Sequence, residues 1–399
     1  MDINAYLADF NKFGICLGLE RIQQLLQDLG NPHQLVPTVH VAGTNGKGSV
    51  CALVSAGLTA AGYRVGRYIS PHLYSWRERI TINGVWISTA DLAQALITAS
   101  QAILPGQMPT QFELLTAAAW WYFAQQQVDI AVIETGLGGR LDATNVIDRP
   151  LVTVISSIAL DHCQRLGNTV AAIAAEKAGI IKANCPVVLG HLPTAARQVV
   201  EQVAQARHSE VIQAYPCLPE QIGLRGEHQL INGGIAIATL NILQAQGWQI
   251  SPEAISTSLK QTQWPGRLQL VDHAHRQIWL DGAHNLAAAI ALRAYFDRTF
   301  PGQACGWVIG ILTTKDGQGM IKALVADQDH FYPVTVPDHQ AIAPELLASW
   351  AGKGEIYPNW QASLEAAIAT LEPQTPLILC GSLYLVGAYL QTYGDQPSL

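Results

Sequence analysis

The sequence predicts an α/β protein of two domains: a large N-terminal domain built on a mostly parallel sheet, and a smaller, Rossmann-like α/β C-terminal domain. Three observations carry this expectation. Short β-branched runs alternate with longer Ala-, Leu- and Gln-rich stretches along most of the chain, the pattern of strands crossed over by helices. The chain has 399 residues, too many for one ordinary domain and suited to two at roughly 100 to 200 residues each. At 49% hydrophobic and 13% charged, it has apolar material for packed cores and too little charge for a disordered chain.

Each element follows from its local pattern. Residues 38–42, 65–70, 129–134, 151–156 and 186–189 are compact apolar runs of the kind buried on both faces of a parallel sheet. Residues 79–86 (RITINGVW) differ, because Asn83-Gly84 between β-formers signals a tight hairpin and hence an antiparallel insertion. A glycine-rich turn leads into a helix over 50–61. At 264–267 (WPGR) a proline and a glycine interrupt the pattern, and a new strand, 277–281, follows within a dozen residues. This sets the domains at 1–266 and 267–399. Strands at 306–312, 331–336 and 377–380, with helices near 286–300 and 360–371, complete the smaller unit.

Composition excludes several roles. With 23 basic against 30 acidic side chains and a formal charge of -7, the surface is unsuited to sequence-independent binding of a nucleic-acid backbone. Asp2 and Asp9 stand where an export signal carries a basic segment and then an apolar run. The longest apolar stretch, 114–124, is about half of the roughly 20 residues of a membrane span. Seven cysteines without a CxxC pair read as reduced thiols. A soluble cytoplasmic protein that binds neither nucleic acid nor membrane is expected.

The strongest local signal is VHVAGTNGKGS, residues 39–49, a buried strand running into a glycine-rich turn with a lysine and a hydroxyl. Backbone N–H groups and a helix N-terminus there suit phosphate, and Lys47 adds a point charge. It looks like a P-loop with imperfect spacing, since Gly43 precedes Gly46 by only three and Gly48 separates Lys47 from Ser49; the alternative is a turn that only reverses the chain. In 134–145 (ETGLGGRLDATN), Glu134 ends a predicted central strand, at the edge where open α/β sheets bind ligands. It reads as a Mg²⁺ ligand or as a cap of the following turn. Within 156–182, Asp161-His162 falls just past a strand, and Glu176-Lys177 lies in a helix opened by Asn168 or Thr169. His162 reads equally as a structural residue or a ligand, and Lys177, on the residues alone, as an exposed helix lysine. Arg267 and Asp281 stand at the domain boundary, suited either to a nucleotide or to a rim salt bridge.

Laid out in order, LGLERI (17–22), HVAGTNGKGS (40–49), SPHL with ERITING (70–84), FELLT (112–116), ETGLGGRLDATN, LDH with EKAGIIK, WPGR, DGAHN (281–285) and GSLYLVG (381–387) are similar to the landmarks of a known family. The chain resembles, over nearly its whole length, the folylpolyglutamate synthase and dihydrofolate synthase family of the Mur-ligase group, in its bifunctional bacterial form. The resemblance implies an ATP-dependent ligase that activates a pteroate or folate carboxylate as an acyl phosphate for attack by the amine of L-glutamate. It implies ATP contacts at Gly43, Thr44, Asn45, Gly46, Lys47, Gly48, Ser49, Asn232, Arg267 and Asp281. Mg²⁺ ligands are implied at Ser70, Glu134 and His162, and carbamylation at Lys177, which would help hold a second Mg²⁺. Lys47, Lys177, His162 and His284 are the implied catalytic set, His284 lying near the glutamate. The pterin end is implied near Gly14, Ile15, Cys16 and Leu17, near Thr110, Gln111, Phe112 and Glu113, and near Leu141, Asp142 and Ala143. The role of Ser382 is left open. The expected partners are small-molecule substrates, and a monomer is expected. Two positions depart from the family pattern: Thr314 where Asp is commoner, and Gly233 where Ala is usual. The alternatives are a monofunctional folylpolyglutamate synthase, a cell-wall Mur ligase, a simple P-loop kinase and a non-catalytic nucleotide-binding module.

Overall fold

The computed structural model describes residues 1–10 and 18–394. It resolves into two compact units, one of residues 1–223 and 229–262, the other of residues 224–228 and 263–399.

The first unit is organised by eight strands: β1 (Thr38–Ala42), β2 (Val65–Tyr68), β3 (Ile80–Ile82), β4 (Val85–Trp86), β5 (Ile130–Glu134), β6 (Val152–Ile155), β7 (Val187–Leu189) and β8 (Val211–Gln213). They form one sheet in the order β4-β3-β2-β5-β1-β6-β7-β8. All pairs from β2 to β8 are parallel, and β3 and β4 join antiparallel. The hairpin turns at Asn83 and Gly84, both at positive φ, as a two-residue turn between right-twisted strands requires. Because the chain leaves β1 toward β2 and returns past β5 to β6, it reverses direction around β1, and the crevice this opens lies at the carboxyl ends of β1, β5 and β6. One face of the sheet is covered by helices Glu20–Asp28, Thr89–Gln101 and Gln111–Gln125, whose Leu26, Leu96, Trp120 and Phe123 are fully or almost fully buried. Helix Lys47–Ala60 packs on β1, β2 and β5, close enough to helix Glu227–Ala245 that a side chain at Gly57 would overlap Leu240.

The second unit holds β9 (Gln269–His273), β10 (Arg276–Leu280), β11 (Gly306–Ile309), β12 (His330–Pro333) and β13 (Leu377–Cys380) in the order β12-β11-β13-β10-β9. Only β9 runs antiparallel. Its core centres on Phe296 and Trp307, and the buried carboxylate of Asp329 is satisfied by Cys305 N–H, Ala326 N–H, Trp307 Nε1–H and Arg293. Leu224–His228 joins this unit because Arg225 stacks 5.4 Å from the Trp279 ring centroid and Glu227 pairs with Arg298.

Several strands are shorter than their apolar runs. β2 ends at Tyr68, before Ser70-Pro71, and β12 ends at Pro333, where a proline cannot donate to a ladder. β9 and β10 pair through Ala274 and His275, both at positive φ, so β9 lies in what reads in the sequence as linker. Among the described residues, no helix is long and apolar enough to cross a membrane.

Candidate active site

The phosphate-loop candidate starts where β1 ends. Gly43 has φ +155°, and a side chain there would overlap Ser156. Gly46, at φ +84°, is the left-handed residue that opens helix Lys47–Ala60, and a side chain there would overlap Asn232. Both positions therefore require glycine. The turn is held from β6. Thr44 N–H donates to Ser157 O (2.8 Å) and Asn45 N–H to Ser157 Oγ (2.9 Å), while Ser156 Oγ (2.7 Å) and Ser157 Oγ (2.9 Å) donate to Asn45 O. Lys47 is the first helical residue and folds back over the turn, its Nζ donating to Gly43 O (3.1 Å) and Thr44 O (3.3 Å).

Glu134 is the last residue of β5 and is buried, its Oε1 3.8 Å from Lys47 Nζ and its Oε2 accepting from Ser70 N–H at 3.4 Å. Two of the three expected Mg²⁺ ligands thus stand side by side. Both offer oxygen, the donor a hard cation prefers, and one or two protein ligands suffice where phosphates supply the rest. His162 occupies a left-handed position before helix Cys163–Leu166, its Nε2 3.9 Å from Asp161 Oδ1. Among the described residues, no three His, Cys, Asp or Glu side chains are grouped so as to hold a metal by themselves.

Lys177 corrects the reading of an exposed helix lysine. It is only 4% exposed, and its Nζ donates to Gly43 O at 2.8 Å. Helix Val170–Ala178, capped by Thr169, is apolar around most of its surface and turns this lysine inward toward the phosphate-loop candidate. Burial, reinforced by the charge of Lys47, pushes its pKa down to about 7. Lys47 and Lys177 thus converge on the same carbonyl.

The glycines of ETGLGGRLDATN permit close packing. A side chain at Gly136 would overlap Phe112, and one at Gly139 would press on the carbonyls of Glu176 and Lys177. Asp142 is buried. Its Oδ2 accepts from Leu137 N–H (2.7 Å), and its Oδ1 from Thr144 N–H (3.0 Å) and Thr144 Oγ1 (2.6 Å). Burial raises the pKa of this carboxyl, and these hydrogen bonds offset that only in part. Ala143 is buried and Leu141 half-buried. Thr110 and Glu113 form a capping box at helix Gln111–Gln125, and Arg21 Nη2 lies 3.1 Å from Glu113 Oε1. Phe112 carries this segment to Gly136 and to the Tyr68 ring, 6.1 Å away between centroids. Gln111 donates to Leu7 O (3.0 Å). Gly14, Ile15, Cys16 and Leu17 lie outside the described residues.

In the second unit, Asp281 follows β10, and its carboxylate accepts from Leu268 N–H and Ala283 N–H, each at 2.8 Å, which closes the turn beside Arg267. A side chain at Gly282 would overlap Arg267 and Leu383. His284 Nδ1 is 2.8 Å from Gly282 O, Asn285 caps helix Leu286–Thr299, and Ser382 caps helix Leu383–Tyr393. His228 joins this group without a signal in the sequence reading. Burial pushes its pKa down, with the charge of Asp281 opposing and that of Arg267 adding. The serine pair 156–157 and Arg21 also escape the sequence reading, because their partners lie far along the chain.

Residues 267–392 match the family described as dihydrofolate synthetase, C-terminal domain. The folylpolyglutamate synthase of Lacticaseibacillus casei is 36% identical, over 97% of this chain and 97% of its own length. The dihydrofolate synthase/folylpolyglutamate synthase of Escherichia coli is 33% identical, over 99% of this chain and 95% of its own. Among solved structures, Escherichia coli FolC in complex with DHPP and ADP superposes with a TM-score of 0.87 at 29% identity, covering 98% of this chain and 97% of that one. Mycobacterium tuberculosis folylpolyglutamate synthase complexed with ADP gives 0.91 at 29% identity, covering 99% and 98%.

Proposed function

The chain belongs to the folylpolyglutamate synthase and dihydrofolate synthase family, and from that premise we propose that its site both adds the first glutamate to dihydropteroate and extends reduced folates with further glutamates. The protein is an ATP-dependent ligase that joins L-glutamate to a folate-type carboxylate. The bifunctional reading is supported by the E. coli and Bacillus subtilis relatives, both described as dihydrofolate synthase/folylpolyglutamate synthase.

A carboxylate is a poor electrophile at neutral pH, so the γ-phosphoryl of ATP first passes to its oxygen, releasing ADP and giving an acyl phosphate. The amine of glutamate then attacks the carbonyl carbon, inorganic phosphate leaves, and the nitrogen loses its proton. The observation that carries this reading is the convergence of Lys47, Glu134 and Lys177 on the glycine turn after β1. Backbone N–H groups of Gly46, Lys47, Gly48 and Ser49 at the start of the helix suit the phosphates, with Gly43, Thr44 and Asn45 shaping the turn. Lys47 neutralises charge on the transferring group. Ser70 and Glu134, with His162, would hold Mg²⁺, which when bound would neutralise charge on the phosphates. Asn232, packed against Gly46, is assigned to ATP, as are Arg267 and Asp281. His284 serves the glutamate and acyl-phosphate end, and the pterin end meets residues 14–17, 110–113 and 141–143. An amine whose pKa is about 7 is substantially neutral at physiological pH. Lys177 is therefore chemically suited to take up CO₂ as a carbamate, an anion able to help hold a second Mg²⁺. The six described cysteines are free, which suits a reducing cytoplasm, and the enzyme works as a monomer.

Hydroxylamine trapping tests the acyl phosphate. With ATP, Mg²⁺ and dihydropteroate but no glutamate, the wild type should yield the hydroxamate. Lys47→Ala and Glu134→Ala should each lower the yield by roughly two or more orders of magnitude with unchanged circular dichroism, since they act on phosphate and metal. Wild-type yield in either variant would contradict the site.

A further inference from the structure

The reaction described above leaves one fully buried imidazole without a task. His40 lies in β1 between β5 and β6, and none of it is exposed. Its Nε2 is 2.8 Å from Thr144 Oγ1, and that hydroxyl is 2.6 Å from Asp142 Oδ1. Both Asp142 oxygens accept backbone N–H groups, Oδ2 from Leu137 and Oδ1 from Thr144, so Asp142 is the acceptor here too; the single threonine proton goes to it and the threonine oxygen accepts from His40. The ring is thereby fixed as the neutral tautomer with its hydrogen on Nε2, and Nδ1 is left as a buried acceptor without a partner. Burial, with the charge of Lys182 adding, pushes the ring pKa down to about 3, consistent with a ring that stays neutral.

The result is a chain of hydrogen bonds from the strand that leads into the phosphate-loop candidate, through Thr144, to a carboxylate in the middle of 141–143. Sealed from solvent, His40 cannot serve as an acid or a base for substrate. A leucine would fill its place without desolvating an imidazole. What the histidine alone supplies is an N–H at the position of Nε2.

We propose that His40 is a positioning residue for the pterin end of the substrate, acting through the Thr144 hydroxyl to hold Asp142 and with it residues 141–143. This rests on the assignment of 141–143 to the substrate under the proposed function. The side-chain nitrogen of glutamine can reach the place of Nε2, that of asparagine falls short of it, and leucine has none. His40→Gln should keep the KM for dihydropteroate and tetrahydrofolate within about threefold of wild type. His40→Asn and His40→Leu should raise it about tenfold or more, with kcat and the KM for ATP within about threefold, the scale of one lost buried hydrogen bond. Thr144→Ser should behave like wild type and Thr144→Val like His40→Leu, and combining the last two should add little to either. Equal effects of Gln and Leu, or of Ser and Val, would overturn the proposal, as would a parallel rise in the ATP KM. If the His40 variants fail to fold, the Thr144 pair carries the same contrast. Asp142→Ala separates the two levels: an unchanged folate KM would sink the substrate assignment itself, whereas a raised one with a silent His40 and Thr144 series would sink only the relay.

Discussion

Lys177 combines a buried amine with a backbone carbonyl acceptor and a second lysine nearby. The consequence is a pH-dependent stability whose sign can be worked out. In the unfolded chain this group titrates near 10.5, and in the folded chain at about 7. Below about 7 both states hold the proton and the burial penalty is present in full. Between the two values the unfolded chain binds more protons, so the site's contribution to stability rises with pH across that window. In CO₂-free buffer, urea denaturation of wild type should show a rise on the order of 1 kcal/mol per pH unit from this site between pH 7.5 and 9.5. Lys177→Met should remove it, and identical pH slopes for the two proteins would contradict the burial. The helical period around Lys177 is plain in the sequence. Its burial is not, because Gly43, to which it donates, lies 134 positions away in the chain. Gly233 is similar. The space an alanine methyl would fill is taken by Cys217 and Ile222, a constraint invisible in the motif itself.

The glycine turn after β1 is shaped by a neighbouring strand end as much as by its own residues. Ser157 Oγ both accepts from Asn45 N–H and donates to Asn45 O. Ser157→Ala should therefore raise the KM for ATP several-fold while kcat and thermal stability change little, since each bond is worth about 1 kcal/mol. An unchanged ATP KM would mean that the glycines and Lys47 hold the turn unaided. The turn, its strand and its helix are legible because glycine, lysine and a buried strand form one short contiguous signal. The helix starts at Lys47 itself, ahead of the apolar run at 50, because Gly46 supplies the left-handed residue that opens it. β9 escapes the sequence reading for the opposite reason. Its hairpin turns at Ala274 and His275, residues that ordinarily avoid positive φ, so the usual turn signal is missing. Element ends at β2, β11 and β12 stop short of their apolar runs, because hydrophobicity marks burial and does not mark where ladder pairing stops.

For the molecule as a whole, the order of motifs carries the assignment. Each is short and fallible alone, yet together they span most of the chain, and relatives 33% and 36% identical cover nearly all of it. The α/β class and the mostly parallel larger sheet follow from alternation of strand and helix patterns. The candidate site is legible wherever chemistry and chain position coincide, as at Lys47 and Glu134. Contacts between residues distant in the chain, as at His40, Arg21 and His228, leave no local signal in the sequence. The central claim is glutamate ligation to two acceptors, and it is tested most directly by mass spectrometry of the products formed with ATP, Mg²⁺ and L-glutamate. Dihydropteroate is supplied in one reaction and tetrahydrofolate in the other. Glutamate added to both, each with release of ADP, is the predicted result. Addition to tetrahydrofolate alone would contradict the bifunctional reading, and addition to neither would contradict the ligase.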